Sequence, residues 1–162
     1  MEKLPFSTAP TYEDVFVVRV HNLVPQAVWS RRYDQINAFE KELVEGNTHI
    51  LKFYHYISKQ EQLSRFKERL DDPAKQWKIR ESDYKERKFW DDYMAAYEEA
   101  LTATSSAWAP WYVVPADHKY TLRALVGGIV VHTVDQMDLP PPRLAPDGLE
   151  ALARAKKELL AE

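Results

Sequence analysis

The sequence of 162 residues contains no cysteine, only four glycines and no long apolar run. The absence of cysteine excludes disulfide bonds and thiolate metal sites, and it is compatible with a cytoplasmic location. The longest apolar stretch, "ALVGGIVVH" from Ala124, is far too short to span a bilayer. The first residues, "MEKLPFSTAP", lack a basic flank followed by an apolar run. We therefore predict a cytoplasmic protein without a signal peptide.

A strong excess of one charge is also lacking. The chain has 22 basic and 25 acidic residues, which gives a formal net charge of −3. No global attraction to nucleic acid follows from this balance, so any anion site has to be local. The length and the apolar fraction of 45% suffice for one domain with a sizeable core.

Several motifs that carry chemistry are missing. The sequence contains neither G-x-x-x-x-G-K-[ST] nor G-x-G-x-x-G, and it has no H-x-x-x-H pair that would suggest a metal site. Gly127 and Gly128 lie inside a helical pattern, whereas a phosphate cradle belongs at the start of a helix. We therefore interpret this glycine pair as a place where two helices pack closely.

What is present is an alternation of helices and short apolar strands. The run from Thr48 to Ile57 is apolar on both faces, as in a buried parallel strand, and a second strand is predicted at 110–115. A helix that stops at Gly46 carries one apolar face, formed by Ile36, Phe39, Leu43 and Val44. Further helices are predicted from Asp83 to Thr104, from Lys119 onward with Leu122, Leu125, Val126, Ile129 and Val130 buried, and from Asp147 to Ala161. This order indicates an α/β fold with a parallel sheet, although two strands are few for so much helix.

The run "VFVVRV", Val15 to Val20, leaves two structures open. Its β-branched residues favour a strand. The helical spacing of Tyr12, Val15, Phe16 and Arg19 favours a helix.

The segment 58–79 is basic and poorly supplied with apolar residues. Ser58 followed by Glu61 is a capping box that predicts the start of a helix. Arg65 and Arg69 are four residues apart and so share one helical face, and guanidinium groups bind phosphate through paired hydrogen bonds. Lys75 and Lys78 follow. The interspersed acidic residues also fit a solvated helix with no ligand, but the thin apolar stripe suits a movable lid.

Several phrases taken together resemble the polyphosphate kinase 2 family. They are "YEDVFVVRVH", "RRYDQINAFEKELVEGNTHILKFYHYISKQEQLSRFKERLDDPAKQWKI", "DDYMAAYEEAL" and "APWYVVPADHKY". The likeness implies a partial P-loop-kinase-like α/β domain with few parallel strands, about 48–57 and 110–115, flanking helices and a helical lid at 58–79. It also implies a helix for Tyr12–His21. The resemblance implies the C-terminal part of the family domain at 12–142. The residues themselves predict an irregular N-terminus at 1–11, which is rich in Pro, Ser and Thr, and a C-terminal helix at 143–162.

The resemblance also implies a function, namely phosphoryl transfer between inorganic polyphosphate and nucleoside mono- or diphosphates, with Mg²⁺. The likeness covers only the C-terminal half of the family's domain. The phosphate-binding loop, the catalytic residues and the Mg²⁺ ligands are therefore not found in this sequence. We predict a truncated phosphotransferase that is inactive alone, and whether the chain itself is an enzyme stays open. The alternative is a non-catalytic polyphosphate- or nucleotide-binding module, or an oligomerisation module.

The implied site residues fall into two groups. Arg65, Arg69, Lys75 and Lys78 would contact phosphates from the lid. Asp117, Lys119 and Arg123 would form a nucleotide-side loop at the carboxyl edge of the sheet, where open α/β folds bind ligands. Asp117 has a second interpretation as a helix N-cap. The expected partners are polyphosphate and a nucleotide, together with a separate N-terminal half or a second copy of the chain, and neither nucleic acid nor a membrane.

Overall fold

The computed structural model describes residues 10–141 and 143–160. Most of the irregular N-terminus predicted at 1–11 therefore lies outside the described residues. Within the described residues, ten helices and strands follow in order: α1 (Pro10–Val20), α2 (Gln26–Trp29), α3 (Arg31–Glu45), β1 (Lys52–Tyr56), α4 (Lys59–Asp71), α5 (Glu81–Glu86), α6 (Trp90–Thr104), β2 (Trp111–Pro115), α7 (Lys119–Gln136) and α8 (Pro146–Leu159). Short 3₁₀ turns lie at Gln76–Lys78 and Arg87–Phe89. The predicted order of helices and strands is confirmed.

The sheet of the described residues has two parallel strands. Lys52 of β1 stands opposite Trp111 of β2, and the register runs to Tyr56 opposite Pro115. Parallel strands end at the same edge, so the residues after Tyr56 and Pro115 are neighbours. The Ala116 N–H donates to the Tyr56 carbonyl at 2.8 Å. The second edge of β1 has no partner strand within the described ranges.

Residues 10–20 form a helix, as the family resemblance implies and against their β-propensity. Val15 of α1 is fully buried among Trp29, Tyr33, Ile36 and Ala100. The core therefore lies among α1, α2, α3 and α6. Burial against three other helices outweighs the weak strand preference of valine, because propensity is a small term beside packing.

Helix α3 ends where the sequence predicts, but a different face is buried. Tyr33, Ile36 and Glu40 are buried, whereas Phe39 is 55% exposed and Leu43 is 36% exposed. At its end, Asn47 takes a left-handed φ of 65°. The Asn47 N–H donates to Val44 and the Thr48 N–H donates to Leu43, both at 3.0 Å, which forms a Schellman end.

Two other predictions of helix structure are wrong in detail. The helix predicted from Asp83 to Thr104 is broken by the turn at Arg87–Phe89 into α5 and α6. The predicted apolar face of α7 is not buried, and Leu125 and Val130 are 43% and 39% exposed. A side chain at Gly127 or Gly128 would have open space around its Cβ, since no described atom beyond the adjacent residues and the backbone of the same helix lies within 4 Å of that position. The expected close helix contact is therefore not formed among the described residues.

The chain divides into two compact units, Met1–Gly127 and Gly128–Glu162. The first unit holds the sheet and every site residue discussed below. The second holds the end of α7 and helix α8, whose leucines at 149, 152 and 159 are exposed. Within the described ranges, no helix is both long enough and apolar enough to cross a membrane.

Candidate functional site

An aromatic cleft opens at the carboxyl end of β1. Its volume is about 400 Å³, and rings from two helices and a strand form much of its wall: Phe16, Tyr54, Trp90, Tyr93 and Tyr97. The centroid of Tyr97 lies 4.5 Å from that of Phe16 and 5.0 Å from that of Tyr54. Such a concave, largely apolar wall with a few polar groups is typical of a small-molecule site.

A larger hollow of about 750 Å³ lies beside the turn between α1 and α2, with Leu23 and Trp29 in its wall. No strand residue lines it. We place the candidate site in the smaller cleft, because ligands of open α/β folds bind where the strands end.

The polar wall of the cleft is organised around Glu86. The Tyr93 hydroxyl donates to Glu86 Oε2 at 2.8 Å, and His21 Nε2 lies 2.9 Å from the same oxygen. The Tyr93 and His21 contacts hold the pKa of Glu86 below its usual value, so it is an anion at neutral pH. Burial raises the pKa of Tyr54 to about 12 and also raises that of Tyr93. Both phenols therefore stay protonated at neutral pH and can donate hydrogen bonds.

Arg87 connects this wall to the predicted lid. Its Nη1 donates to the Lys59 carbonyl at 2.8 Å and to Gln62 Oε1 at 2.7 Å. Its guanidinium carbon lies 6.0 Å from the centroid of the Trp90 ring. The first turn of α4 is thus held against the α5–α6 wall, with an arginine at the point of contact.

We divide the segment predicted as a lid into a lid stem, residues 58–65, and a lid tip, residues 66–79. The stem starts as the sequence predicts, since Ser58 Oγ accepts the Glu61 N–H at 3.0 Å. No residue of α4 is buried. Arg65 points back along the stem to the loop after β2, where its Nη2 donates to the Ala116 carbonyl at 2.6 Å.

The lid tip carries the other basic residues predicted to bind phosphate. Lys75 Nζ lies 2.7 Å from Glu68 and 2.9 Å from Asp72, so its charge is paired. Arg69 stacks 5.9 Å from the Phe66 ring, and Lys78 lies 5.2 Å from the ring of Trp77, which is 77% exposed. Neither Arg69 nor Lys78 has a carboxylate within 4 Å in the described part of the chain.

The predicted nucleotide-side residues lie at the start of α7, beside the lid. Asp117 Oδ1 accepts the Ser58 N–H at 2.8 Å, and this bond keeps the pKa of Asp117 below its usual value. Its carboxylate thus serves the start of α4. Lys119 is close enough to contribute, after Lys75, to the lowered pKa of Glu68. Lys119 and Arg123 are both exposed.

The sequence of residues 6–141 matches the family model described as polyphosphate kinase 2. The chain belongs to the polyphosphate kinase 2 family. It is 50% identical over 136 residues to an AMP/ADP-polyphosphate phosphotransferase of Meiothermus ruber, covering 83% of this chain and 51% of that protein. It is 38% identical to an ADP-polyphosphate phosphotransferase of Rhodopseudomonas palustris, covering 92% and 56%.

The family relationship extends to solved structures. The crystal structure of polyphosphate kinase 2 from Arthrobacter aurescens superposes with a TM-score of 0.80 at 42% identity, covering 89% of this chain and 52% of that one. The chain therefore spans about half the length of these relatives. A shorter relative from Leptolyngbya boryana is 43% identical, and the match covers 99% of it. The predicted family and its α/β fold are confirmed.

Magnesium is implied by the family resemblance, and a site for it would need several oxygen ligands close together. No group of three His, Cys, Asp or Glu side chains within residues 10–141 and 143–160 is arranged to hold a metal ion. The acidic residues near the lid are committed instead, Glu68 and Asp72 to Lys75 and Asp117 to Ser58. The described residues therefore do not fit a magnesium site.

Sequence reasoning missed the polar residues of the cleft. Glu86, Arg87 and Tyr93 lie in a stretch whose charges look like an ordinary solvated helix surface. The helix break at Arg87–Phe89 is what brings Arg87 to the lid stem, and no glycine or proline marks it. Sequence reasoning also missed the buried Lys52. The sequence did give a signal for it, because Lys52 is the one charged residue in the apolar run Thr48–Ile57.

Proposed function

We propose that this chain is the lid-bearing half of a polyphosphate:nucleotide phosphotransferase. It would bind inorganic polyphosphate and the phosphates of a nucleoside mono- or diphosphate, and it would transfer phosphoryl groups only together with a phosphate-binding loop. The observation that carries the proposal is a pair of uncommitted cations, Arg69 and Lys78, on an exposed helical lid whose stem adjoins the sheet's carboxyl edge. Family membership supports the choice of polyphosphate as the anion.

The phosphate contacts are assigned by the availability of each charge. Arg69 and Lys78 bind phosphate directly, and Lys75 joins them only after giving up Glu68 and Asp72. Lys119 and Arg123, exposed on the first turns of α7, face nucleotide phosphates. The aromatic cleft, with Arg87 at its rim, is the second part of the site. A cytoplasmic location and the limits 12–142 and 143–162 remain part of this proposal.

Polyphosphate binding can be tested by calorimetric titration of the chain at several salt concentrations. Each phosphate contact contributes roughly 0.7 to 0.9 to the slope of log K against log salt. Two direct contacts therefore predict a loss of roughly tenfold in affinity between about 50 and about 200 mM salt. The variant R69Q/K78Q should bind weakly with almost no salt dependence. K41Q, at an exposed position of α3, removes a lysine far along the chain from the lid and should bind as the wild type does. Binding that is equal in R69Q/K78Q and wild type would contradict the assignment.

Transfer requires a second experiment. The unpaired edge of β1 favours docking of a separate N-terminal half, because an open strand edge readily accepts another strand. The chain should therefore co-purify with the upstream half of the Meiothermus ruber relative and form ATP from ADP and polyphosphate, while neither half does so alone. Two halves that neither co-purify nor produce ATP would refute the split phosphotransferase.

The second candidate function is a non-catalytic polyphosphate- or nucleotide-binding module, or a self-associating one. The absence of a phosphate-loop sequence motif favours it, since the loop's amides and lysine stabilise the transferred group. Salt-dependent binding without turnover, even beside the added half, would indicate the binding module. The chain can be examined by sedimentation with and without the N-terminal half. A dimer that persists when the N-terminal half is added would indicate self-association through a surface other than the edge of β1.

A further inference from the structure

The lid stem is fastened to the loop after β2 from both sides. The Ser58 N–H at the start of the stem donates to the Asp117 carboxylate at 2.8 Å. At the other end of the stem, Arg65 Nη2 donates to the carbonyls of Ala116 at 2.6 Å and Asp117 at 3.2 Å. A loop side chain therefore holds the helix start, and a helix side chain holds the loop backbone about two turns later.

The guanidinium of Arg65 is already engaged along its other edge. Its Nε lies 2.9 Å from Glu61 Oε1, and the Glu61 N–H in turn donates to Ser58 Oγ at 3.0 Å. The Arg65 side chain is only 23% exposed. A phosphate would have to displace one carboxylate and two carbonyls to reach it. This displacement would cost charge-assisted hydrogen bonds, which are the stronger kind.

Arg69 provides the contrast within the same helix. It lies one turn further on, on the same face, and its guanidinium contacts the Phe66 ring rather than a carboxylate. Two arginines that look equivalent in the sequence therefore have different surroundings. One is fixed between the stem and the loop, and the other is available at the lid tip.

We propose that Arg65 and Asp117 are positioning residues that clamp the lid stem to the β2–α7 loop, and that Arg69, not Arg65, binds phosphate. The role in binding rests on the proposed polyphosphate function, whereas the clamp is a property of the free chain. The clamp places the lid tip and Lys119 at a fixed distance across one anion site. Loss of the clamp should lower affinity without removing a phosphate contact.

Salt-dependent titration separates the two roles. R69Q should reduce the slope of log K against log salt by roughly 0.7 to 0.9. R65Q should lower the affinity for polyphosphate about tenfold, the equivalent of one charged hydrogen bond, with the wild-type slope unchanged. The variant E61Q/R65Q preserves net charge and should behave like R65Q. R65K, which keeps the positive charge and a donating ammonium in place of the guanidinium fork, should recover part of the affinity. A reduced slope in R65Q, or an unchanged affinity, would overturn the assignment.

Amide hydrogen exchange tests the clamp without any ligand. R65Q and D117A should each accelerate exchange at Ser58 and in the first turn of α4, and R69Q should not. The double variant R65Q/D117A should accelerate exchange only slightly more than the faster of the two single variants, because both substitutions break the same clamp. If the wild-type chain fails to bind polyphosphate, the proposed function is refuted, but the exchange experiment still tests the clamp. Binding in wild type with unchanged exchange in R65Q would refute the clamp alone.

Discussion

The buried ion pair at the start of β1 allows a sharp test of what holds the first unit together. Lys52 and Glu40 are only 7% and 6% exposed. Lys52 Nζ lies 2.6 Å from Glu40 Oε2 and 2.6 Å from the Thr104 carbonyl. The second Glu40 oxygen accepts the Tyr12 hydroxyl at 2.8 Å. One lysine thus connects the first strand to α3 and α6, and through Glu40 to α1.

Substitution Lys52→Met keeps the side-chain length and leaves the Glu40 carboxylate buried with only a tyrosine partner. Breaking a buried pair in this way costs about 3–5 kcal/mol, a large part of the roughly 5–15 kcal/mol that holds a domain folded. With a urea m-value of about 2 kcal/mol/M, the unfolding midpoint should fall by about 2 M. The assay is urea unfolding followed by circular dichroism.

Two further variants show whether the charge or the packing is responsible. In E40L/K52M no charge is stranded, so this double variant should be more stable than K52M. Lys41→Met removes a lysine from an exposed pair with Glu45 at 3.7 Å, and it should change stability by less than about 0.5 kcal/mol. The reasoning is refuted if the free energy of unfolding of K52M lies within about 1 kcal/mol of the wild-type value. It is also refuted if E40L/K52M is as unstable as K52M.

Three shorter predictions concern the helix ends and the extremes of pH. Asn47→Ala should cost about 1 kcal/mol in urea unfolding because of the left-handed φ of 65°, and Asn47→Gly should be neutral or slightly stabilising. The pKa of Asp117 is lowered in the folded chain, so its carboxylate stabilises the start of α4 above its usual pKa of 3.8, and this stabilisation is lost as the pH falls through the folded pKa. Protection of the Ser58 amide from exchange should therefore decline in acid in the wild type but not in D117A. Burial raises the pKa of Tyr54 from 10.0 to about 12, so the protonated phenol stabilises the fold below pH 10 and this stabilisation is lost towards pH 12. Y54F should therefore lose less free energy of unfolding than wild type between pH 10 and pH 12.

Much of the fold could be predicted because local signals were strong. The two strands follow from dense apolar runs, and the start of α4 follows from Ser58 and Glu61. Helix α1 could not be predicted from its valines alone, since its helical state depends on burial against α2, α3 and α6. The family resemblance supplied that information, because homologous sequences share tertiary contacts that propensities do not contain.

The buried faces were harder to predict, because apolar spacing identifies a face but not its partner. In α3 the pattern favoured Phe39 and Leu43, whereas the structure buries Glu40 beside Lys52, 12 residues along the chain. A charged residue is buried there only because its counter-charge comes from another element. For the same reason the apolar face of α7 looks like a core in the sequence, although no residue of α7 is buried.

The candidate site shows the same limit at the scale of single side chains. In the sequence, the segment 58–79 offers four candidate phosphate-binding cations that look equivalent, and the structure divides them by their partners. Lys75 is paired with two carboxylates, and Arg65 is fixed to a carboxylate and two carbonyls. Arg69 and Lys78 lie beside aromatic rings and have no carboxylate within 4 Å among the described residues. An anion recruits charges in the order in which they can be freed, since each displaced partner subtracts from the energy gained. We therefore expect Arg65, the cation nearest the sheet, to position the lid, and Arg69 and Lys78 at the lid tip to bind the anion.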